Sequence, residues 1–274
     1  MSDLVVVKVG GGAGVDVDAV CTDVAALVRA GTPVVLMHGT SAAVDSISAR
    51  MGVEGRTLQS PTGHVSRYTD PETLDIYTMA ANGLVNTTLV AKLQALGVNA
   101  VGLSGVDGKL LLAHRKEAVR AIDPKTGRQR IVRDDYTGKI EAVNAGLLRL
   151  LIGAGYTPVV APLAIGLECE RLNVDGDRAA AQIAAALGAG TLVILTNVPG
   201  LLANFPDESS LVRHIGRNGL DRAIELAGGR MKRKVLAAQE AIEGGARRVI
   251  LADSRRAGPI GAALNGEGTV ITHD

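Results

Sequence analysis

Aromatic residues are almost missing from this sequence of 274 residues. It contains no tryptophan, one phenylalanine and four tyrosines, which together make up 2% of the chain. Proteins that bind single-stranded nucleic acids need aromatic side chains on which the bases stack. The formal net charge of +1 provides no broad basic surface for a polyanion either. We therefore expect no nucleic-acid partner.

Cysteine and long apolar runs are also scarce. Cys21 and Cys169 are the two cysteines, and their spacing matches no metal-binding motif, so we expect neither a disulfide framework nor a zinc site and assign no metal ligands. No apolar stretch approaches the roughly 18 to 20 residues that a membrane span needs. The first residues lack the basic and apolar segments of a secretion signal. We expect a soluble cytoplasmic protein with no membrane partner.

Apolar residues are abundant, at 47% of the chain, and their spacing follows a repeating pattern. Short β-branched runs alternate with longer segments of helical periodicity, which is typical of parallel strands joined by crossover helices. The expected fold is α/β, a three-layer αβα sandwich with a mostly parallel open sheet. Asp70 before Pro71 predicts a helix start. We predict strands at residues 4–9, 34–37, 100–103, 158–161, 192–196 and 249–252, and helices at 17–30, 41–51, 71–96, 141–153, 177–187 and 231–243.

Two polar stretches, residues 52–69 and 109–139, interrupt this pattern, and we expect them to form hairpins or excursions at the sheet edge. The second stretch contains nine Lys or Arg against four Asp or Glu, a local charge of +5. A solvated charged hairpin explains this charge as well as a docking surface for an acidic partner does. The choice depends on whether the site chemistry requires such a partner.

Three separated segments are interpreted as parts of one phosphoryl-transfer site: Lys8 with the glycine run 10–14 (GGGAG), residues 173–177 (NVDGD) and residues 229–234 (GRMKRK). A lysine beside a glycine-rich turn supplies a cation and backbone N–H groups that approach phosphate oxygens without obstruction by a Cβ atom. Lys234 supplies a second cation. The P-loop motif and the dinucleotide-binding glycine motif are both absent, so neither explains these segments.

Over essentially its whole length the chain resembles the amino-acid kinase family. Residues 8–11 (KVGG) are similar to the family's opening phosphate loop, and the turn at His38 and Gly39 is similar to the loop that faces the transferred phosphoryl group. Residues 67–74 (RYTDPETL) resemble the substrate-carboxylate motif of acetylglutamate kinase and its relatives. Further matches are residues 173–177 to the substrate segment, 196–201 (TNVPGL) to the adenine-side loop and 231–234 (MKRK) to the nucleotide-contacting segment.

The resemblance implies transfer of the γ-phosphoryl group of ATP, with Mg²⁺, to a carboxylate. A carboxylate is already ionised at neutral pH, so the chemistry needs cations and positioning rather than a general base. The implied catalytic residues are Lys8, Lys234 and Asp177, with Asp177 holding the two lysines at their separation. The implied substrate-binding residues are Gly11, His38, Gly39, Thr40, Arg67 and Asn173. The implied ATP-binding residues are Gly10, Gly12, Thr196, Asn197, Gly200, Leu201, Gly229 and Met231.

Individual roles follow from the side chains. The N–H groups of Gly11 and Gly39 are expected to contact phosphoryl oxygens. The planar fork of Arg67 suits the substrate's α-carboxylate, and Asn173 suits the amide that links the substrate. His38 is interpreted as a residue that shapes its loop, because a carboxylate nucleophile loses no proton.

Three positions raise questions about this assignment. Asp177 has a simpler alternative role as the N-cap of its helix. Acetylglutamate kinases usually have Asp where Asn197 stands, and the family usually has a second glycine where Thr40 stands. A branched side chain disfavours positive φ, so we expect the loop at Thr40 to differ from that of the family.

Within the family, residues 134–139, 206–210, 229–235 and 266–270 resemble the kinases that act on aminoadipate or glutamate linked to a LysW-type amino-group carrier protein. That resemblance implies phosphorylation of the ω-carboxylate in lysine, or ornithine and arginine, biosynthesis, with a small acidic carrier as partner. Such a carrier gives the basic residues something to bind. The residues assigned to carrier binding are Arg128, Arg130, Arg133, Arg230, Lys232 and Arg233.

The same resemblance implies one domain over residues 1–274. Its approximate N-lobe, 1–172, binds the amino acid and carrier, and its C-lobe, 173–274, binds ATP. Homodimerisation is expected through the central sheet and a helix, for which residues 71–96 are the candidate. Two alternatives stay open: an acetylglutamate kinase that takes the free substrate, and a nucleotide-binding regulatory relative without catalysis.

Overall fold

The computed structural model describes residues 4–12, 14–61, 63, 65–123 and 126–273. Ala13 in the predicted glycine run and Lys125 in the basic stretch lie outside the described residues. The strands of the described chain are β1 Val5–Val9, β2 Val34–His38, β3 Thr57–Gln59, β4 Val65–Arg67, β5 Ala100–Gly105, β6 Leu111–Arg115, β7 Val119–Ile122, β8 Gln129–Val132, β9 Gly138–Val143, β10 Thr157–Ile165, β11 Arg171–Asn173, β12 Thr191–Thr196, β13 His214–Ile215, β14 Arg248–Asp253 and β15 Thr269–Thr272.

The helices surround these strands. The α-helices are α1 Val17–Arg29, α2 Ser41–Met51, α3 Pro71–Thr78, α4 Thr87–Ala95, α5 Ala145–Gly153, α6 Gly176–Leu187, α7 Leu220–Leu226, α8 Gly229–Glu243 and α9 Pro259–Leu264. A π-helical segment, Met79–Asn86, joins α3 to α4, and 3₁₀ turns occur at Asp107–Lys109, Glu208–Ser210 and Arg217–Gly219. Within the described ranges, no helix is both long enough and apolar enough to span a bilayer.

The central sheet has the strand order β13-β15-β14-β12-β1-β2-β10-β6-β9, and β5 and β11 also pair with β10. The strands from β14 through β12, β1 and β2 to β10 are all parallel. Antiparallel pairs form between β9 and β6, between β11 and β10, and between β15 and β14. Because β1 lies between β12 and β2, this sheet runs without interruption through both halves of the sequence.

Both faces of the sheet are covered, as expected for three αβα layers. On β1, Val6 packs into a cluster with buried residues of α6 and α8. The alternate residues Val5, Val7 and Val9 pack on the other face against α1, α4 and α9. Side chains of a strand alternate between faces, and β-branched residues suit a strand buried on both.

The predicted parallel strands are all confirmed, with ends that differ by one or two residues except in β10, which continues to Ile165. One predicted helix begins too early. Residues 141–143 belong to β9, which pairs with β6, and α5 starts at Ala145. Asn144 ends the strand and caps the helix by accepting from the Leu147 N–H. The predicted helix 71–96 is confirmed in extent, with Asp70 as its N-cap, but its middle turns are π-helical.

The two polar stretches form more structure than hairpins alone. Residues 52–69 contain the antiparallel pair β3 and β4, and β7 and β8 of the basic stretch join them in a separate four-stranded sheet of order β4-β3-β7-β8. The other two strands of the basic stretch, β6 and β9, lie at the edge of the central sheet, as expected.

Candidate active site

The site lies where the parallel strands β1 and β2 end in glycine turns. A Cβ atom added to Gly11 would lie 2.1 Å from the Thr40 nitrogen, and one added to Gly39 would lie 2.4 Å from the Gly11 nitrogen. These two loops therefore touch backbone to backbone and require glycine at the contact. The Gly11 carbonyl accepts from the Ala42 N–H (2.8 Å) and the Ser41 hydroxyl (2.9 Å), which fixes the first loop on the first turn of α2.

One expectation about these loops needs correction. The Gly39 N–H donates to the Val9 carbonyl at 2.9 Å, so it is already used and does not point to a phosphoryl oxygen as predicted. Its neighbour Thr40 has φ −141°, in a region open to branched residues, and so the replacement of glycine causes no backbone strain here. Thr40 is buried and its hydroxyl hydrogen-bonds the phenol of Tyr77.

Lys8, Asp177 and Lys234 come together from three different elements. The Lys8 Nζ of β1 lies 2.6 Å from Asp177 Oδ1 of α6, and the Lys234 Nζ of α8 donates to Asp177 Oδ2 at 2.8 Å. Lys8 and Asp177 Oδ1 are close enough to form an ion pair. Their geometry is not that of a hydrogen bond, and Oδ1 has no hydrogen-bond partner among the described residues. All three side chains are about nine-tenths buried.

The electrostatics of this triad follow from its burial. Burial alone would raise the pKa of Asp177, but the ammonium groups of Lys8 and Lys234 hold that pKa well below its usual range. The pKa of Lys234 is lowered by burial and by Lys8, and Asp177 opposes both effects. Two cations sharing one carboxylate leave one net positive charge in a desolvated place, which favours binding of an anion.

The N-terminus of α6 brings Asp177 to Lys8. The alternative role of Asp177 as N-cap is wrong: the cap is Asp175, whose carboxylate accepts from the N–H groups of Asp177 and Arg178 at 2.9 and 3.1 Å. Gly176 lies beside Lys8, since an added Cβ would be 3.5 Å from Lys8 Cε. The cap thus stabilises the first turn of α6, in which Gly176 and Asp177 lie beside Lys8.

His38 is buried behind the second glycine loop. Its Nδ1 lies 3.3 Å from the Gly39 carbonyl, and its Nε2 lies 3.1 Å from the Asn86 amide nitrogen. Burial lowers the pKa of His38 from 6.5 to about 4; the hydrogen bond to Gly39 opposes this shift and the charge of Lys8 adds to it. The ring is therefore neutral at physiological pH, and its contacts agree with a role in shaping the loop.

The predicted substrate residues line the junction between the two sheets. Arg67, at the end of β4, donates to the Asp45 carboxylate at 2.6 Å. The Asn173 amide donates to the Thr69 hydroxyl at 3.0 Å, and the Thr69 N–H donates to Asp135 at 3.0 Å. Arg67 and Asn173 are thus partly buried and connected through Thr69, but each already has a partner that a substrate would have to displace or share.

The predicted nucleotide residues divide into packed and accessible positions. Leu201 is 1% exposed and its N–H donates to Thr269 Oγ1 at 2.8 Å. A Cβ at Gly200 would lie 2.5 Å from the same oxygen. These two residues therefore hold the loop after β12 against β15, and the Leu201 side chain belongs to the core. Asn197 is exposed in that loop.

The other nucleotide positions lie at the end of β12, in the loop that follows Lys8 on β1, and in the first turn of α8, which carries Lys234. Thr196 is buried at the end of β12, and Gly10 and Gly12 flank Gly11 in the first loop. Gly229 begins α8 with φ +51°, a conformation that favours glycine. Met231 is half-buried against the core in the first turn of the same helix.

The predicted carrier residues occupy two different elements. Arg128, Arg130 and Arg133 are exposed on the β7–β8 hairpin and just after it. Arg230 and Lys232 are exposed at the start of α8, and Arg233 there lies 3.9 Å from Asp175. The small sheet that carries the hairpin connects to the substrate residues through Asp135, whereas α8 connects to the lysine triad.

Two residues of the site were missed by the motif analysis. Asp175 lies inside the NVDGD segment and could have been recognised as a cap from its position before the helix. Asn86 lies in the predicted helix 71–96 and carries no local signal, because its partner His38 is 48 residues away in sequence.

The geometry suits phosphoryl transfer better than acid–base or metal chemistry built from side chains. Two buried ammonium groups, paired through a carboxylate, lie beside glycine loops at the ends of parallel strands, where α/β proteins bind their ligands. His38 is neutral and engaged on both nitrogens. Within the described residues, no group of three or more His, Cys, Asp or Glu side chains is placed to hold a metal ion.

Comparison with known proteins agrees with this description. The model of the amino acid kinase family matches residues 3–253, so the chain belongs to the amino acid kinase family. Over 270 residues it is 49% identical to the LysW-aminoadipate kinase of Deinococcus radiodurans, covering 98% of this chain and 92% of that one. It is 48% identical over 270 residues to the LysW-aminoadipate kinase of Thermus thermophilus, covering 98% and 100%. Carbamate kinase from Giardia lamblia bound to AMP-PNP has the same fold, with a TM-score of 0.68, 19% identity and full coverage of both chains.

Proposed function

We propose that this protein is a cytoplasmic kinase that transfers the γ-phosphoryl group of ATP to the ω-carboxylate of aminoadipate or glutamate carried on a LysW-type protein. The buried triad of Lys8, Asp177 and Lys234 carries the proposal, because it provides two cations in one desolvated place. The identity of nearly half the residues to two LysW-aminoadipate kinases over 98% of the chain supports the choice of substrate. The two products of the reaction are an acyl phosphate and ADP.

The proposed chemistry depends on charge and position. Lys8 and Lys234 approach the transferring group from β1 and α8 and neutralise the charge that develops on its oxygens. Asp177 orients both ammonium groups and takes no proton, since its pKa is well below the usual range. The acceptor carboxylate is ionised before it enters, so the neutral His38 is not needed as a base.

Mg²⁺ is proposed to enter the site on the phosphates of ATP. The donor set supports this route: Asp177 is already paired with two lysines. Mg²⁺ keeps several waters and commonly uses substrate phosphates with one or two carboxylates. When bound, the ion neutralises phosphate charge.

The acidic end of the carrier is proposed to contact the β7–β8 hairpin. Arg128, Arg130 and Arg133 are exposed there, and this sheet leads through Asp135 and Thr69 to Asn173. The carrier and its amino acid would then approach from the side of Arg67, while ATP occupies the side of α8. This arrangement assigns the basic hairpin to the carrier, and Arg230, Lys232 and Arg233 at the start of α8 are proposed to contact the carrier as well.

Homodimerisation through the segment 71–96 is proposed on one observation. Met79 and Leu84 in its π-helical part are 46% and 49% exposed, and covering them in a dimer would remove apolar surface from water. Sedimentation of the purified protein measures this directly, and a monomer at all accessible concentrations would refute it.

A hydroxamate assay tests the function. Purified protein is incubated with Mg²⁺-ATP and hydroxylamine, which traps acyl phosphates, and with carrier-linked aminoadipate, carrier-linked glutamate or free N-acetylglutamate. Product from the carrier-linked substrates alone supports the proposal, and the ratio of their rates identifies the cargo. Product mainly from N-acetylglutamate makes the protein an acetylglutamate kinase. ATP binding without product from any acceptor favours a regulatory protein.

A further inference from the structure

The π-helical segment places one polar side chain behind the phosphate loops. Asn86, its last residue, is 6% exposed. Its side-chain nitrogen, Nδ2, makes two contacts. It donates to the Val159 carbonyl of β10 at 2.9 Å and lies 3.1 Å from His38 Nε2. With one hydrogen directed to each partner, His38 Nε2 is the acceptor, and the ring proton is on Nδ1.

The neutral tautomer connects Asn86 to the glycine contact. His38 Nδ1–H then donates to the Gly39 carbonyl at 3.3 Å, and Gly39 is the residue whose backbone touches Gly11. A buried polar network of this kind restricts each member to one orientation when every donor and acceptor is used. The connection therefore runs from β10 through Asn86 and His38 to the loop beside Lys8.

Two features of the backbone show that the position of Asn86 is specific. A change of one residue in helix register turns a side chain by about 100° around the axis, so the π-helical turns at Met79–Asn86 determine which side chain faces His38. π-helical segments are uncommon and occur often at functional sites. On β5, a Cβ added to Gly102 would lie 2.1 Å from Asn86 Oδ1, so glycine at 102 leaves the space that the amide occupies.

We propose that Asn86 is a positioning residue for phosphoryl transfer: its amide holds His38 as the neutral Nδ1–H tautomer and thereby fixes the Gly39 turn against Gly11. The catalytic part of this proposal rests on the proposed kinase function, whereas the structural part does not. Asn86 contacts His38 and the Val159 carbonyl behind the loop, so its removal is expected to affect the rate through the loop. A misplacement of about 1 Å in a catalytic site costs about 10²-fold in rate.

The charged surroundings of His38 determine what a carboxylate at position 86 would do. Lys8 of β1 is the charge that acts on the ring, and Asp177 of α6 and Lys234 of α8 follow beyond it. On the side of β10, the group that Asn86 contacts beside the ring is the uncharged Val159 carbonyl. Asn86→Asp replaces a donor by an acceptor, so Nε2 must carry a proton to keep the contact. The ring then either becomes a cation or loses the Nδ1 proton that bonds the Gly39 carbonyl.

The experiment combines NMR with kinetics. Protein labelled with ¹⁵N in backbone and histidine rings is titrated, and His38 is assigned with a His38→Gln variant. In the wild type we expect one neutral Nδ1–H ring that does not titrate between pH 8 and 5. In Asn86→Asp we expect a ring that carries a proton on Nε2 near pH 7, shifted backbone amides of Gly11 and Gly39, and kcat lowered about 10- to 100-fold with KM changed by less than about threefold.

Two further variants keep the test decisive. Gly102→Ala displaces the amide without changing its chemistry, and we expect it to alter the signals of the His38 ring and of the Gly11 and Gly39 amides. Asn99→Asp makes the same chemical change at an exposed position and is expected to match the wild type in every measurement. Circular dichroism and thermal melting identify any variant that fails to fold.

Each outcome decides the proposal. A wild-type His38 that titrates near pH 6.5, or a ring unaffected by Asn86→Asp and Gly102→Ala, refutes the tautomer assignment. Altered ring and glycine signals with unchanged kcat refute the positioning role. If the wild type phosphorylates no acceptor, the proposed kinase function fails, and the ring and glycine-amide signals still decide whether Asn86 holds the loop.

Discussion

Replacing Asp177 by asparagine tests the charge triad most directly. The substitution keeps the size and shape of the side chain but removes the negative charge between the Lys8 and Lys234 ammonium groups, at 2.6 and 2.8 Å. Two cations then remain buried without their shared counter-charge. We expect a less stable protein and a slower enzyme whose activity depends on pH in a new way.

The size of the stability effect follows from the distances. With an effective dielectric constant of about 20, Coulomb's law gives about 6 kcal/mol of attraction for unit charges about 2.7 Å apart, and desolvation of the buried groups offsets much of it. Removing one partner of a buried ion pair costs about 3 to 5 kcal/mol of unfolding free energy. At about 2 to 4 °C for each kcal/mol, the melting temperature falls by about 6 to 20 °C.

The pH dependence has a definite sign. The pKa of Asp177 is lowered from its ordinary 3.8 in the folded protein. Its stabilising contribution is therefore present above pH 3.8 and is lost as the pH falls through the lower folded-state pKa. The stability difference between wild type and Asp177→Asn should be constant near neutral pH and shrink in strong acid.

Activity changes at the other end of the pH scale. The pKa of Lys234 is already lowered by burial and Lys8, with Asp177 opposing, so removing Asp177 lowers it further. Lys234 must be charged to stabilise the transition state, so the alkaline fall of kcat moves to lower pH in the variant.

Thermal melting between pH 2 and 8 and kcat between pH 6 and 10 measure these effects. Asp75→Asn is the matched control, because it breaks an exposed pair with Arg171 at 2.7 Å and should cost no more than about 1 kcal/mol. A variant at Asp177 with the melting temperature and alkaline limb of the wild type would show that the triad does not act as described.

Three further predictions concern other parts of the site. Lys234→Ala should lower kcat by about 10² to 10³ with little change in KM for the carrier-linked substrate, because the lysine acts mainly in the transition state; full activity in the hydroxamate assay would place the site elsewhere. Gly11→Ala should reduce kcat about 10²-fold or more, since its Cβ would lie 2.1 Å from the Thr40 nitrogen, whereas Gly153→Ala, with nothing within 4 Å of the added atom, should retain full activity; equal rates would contradict the loop contact. Reversing Arg128, Arg130 and Arg133 to Glu should raise KM for the carrier-linked substrate and flatten its salt dependence without changing ATP affinity. Charge reversal of the exposed Arg213, Arg222 and Arg247 is its control, and similar KM values in both variants would remove the hairpin from the docking surface.

The sequence by itself determined the layered fold and most of the parallel strands. Apart from Lys8, runs such as residues 4–9 and 192–196 consist of β-branched or aliphatic residues, and a strand buried on both faces needs that composition. Local cues also sufficed for the start of α3, where Asp70 caps the helix before Pro71. The strands of the basic stretch were not predicted individually, because their pairing across β3 and β7 joins residues far apart in sequence.

The chemistry-bearing residues could be identified from motifs, but their relationships could not. Lys8, Asp177 and Lys234 stand in three segments of the chain, and folding alone brings both ammonium groups within 2.8 Å of the Asp177 carboxylate. The same holds for Asn86 and His38, which meet because π-helical turns rotate the helix and glycine at 102 leaves room for the amide. Composition and periodicity specify which faces are buried, whereas long-range packing decides which polar groups share a buried space and therefore which charges they keep.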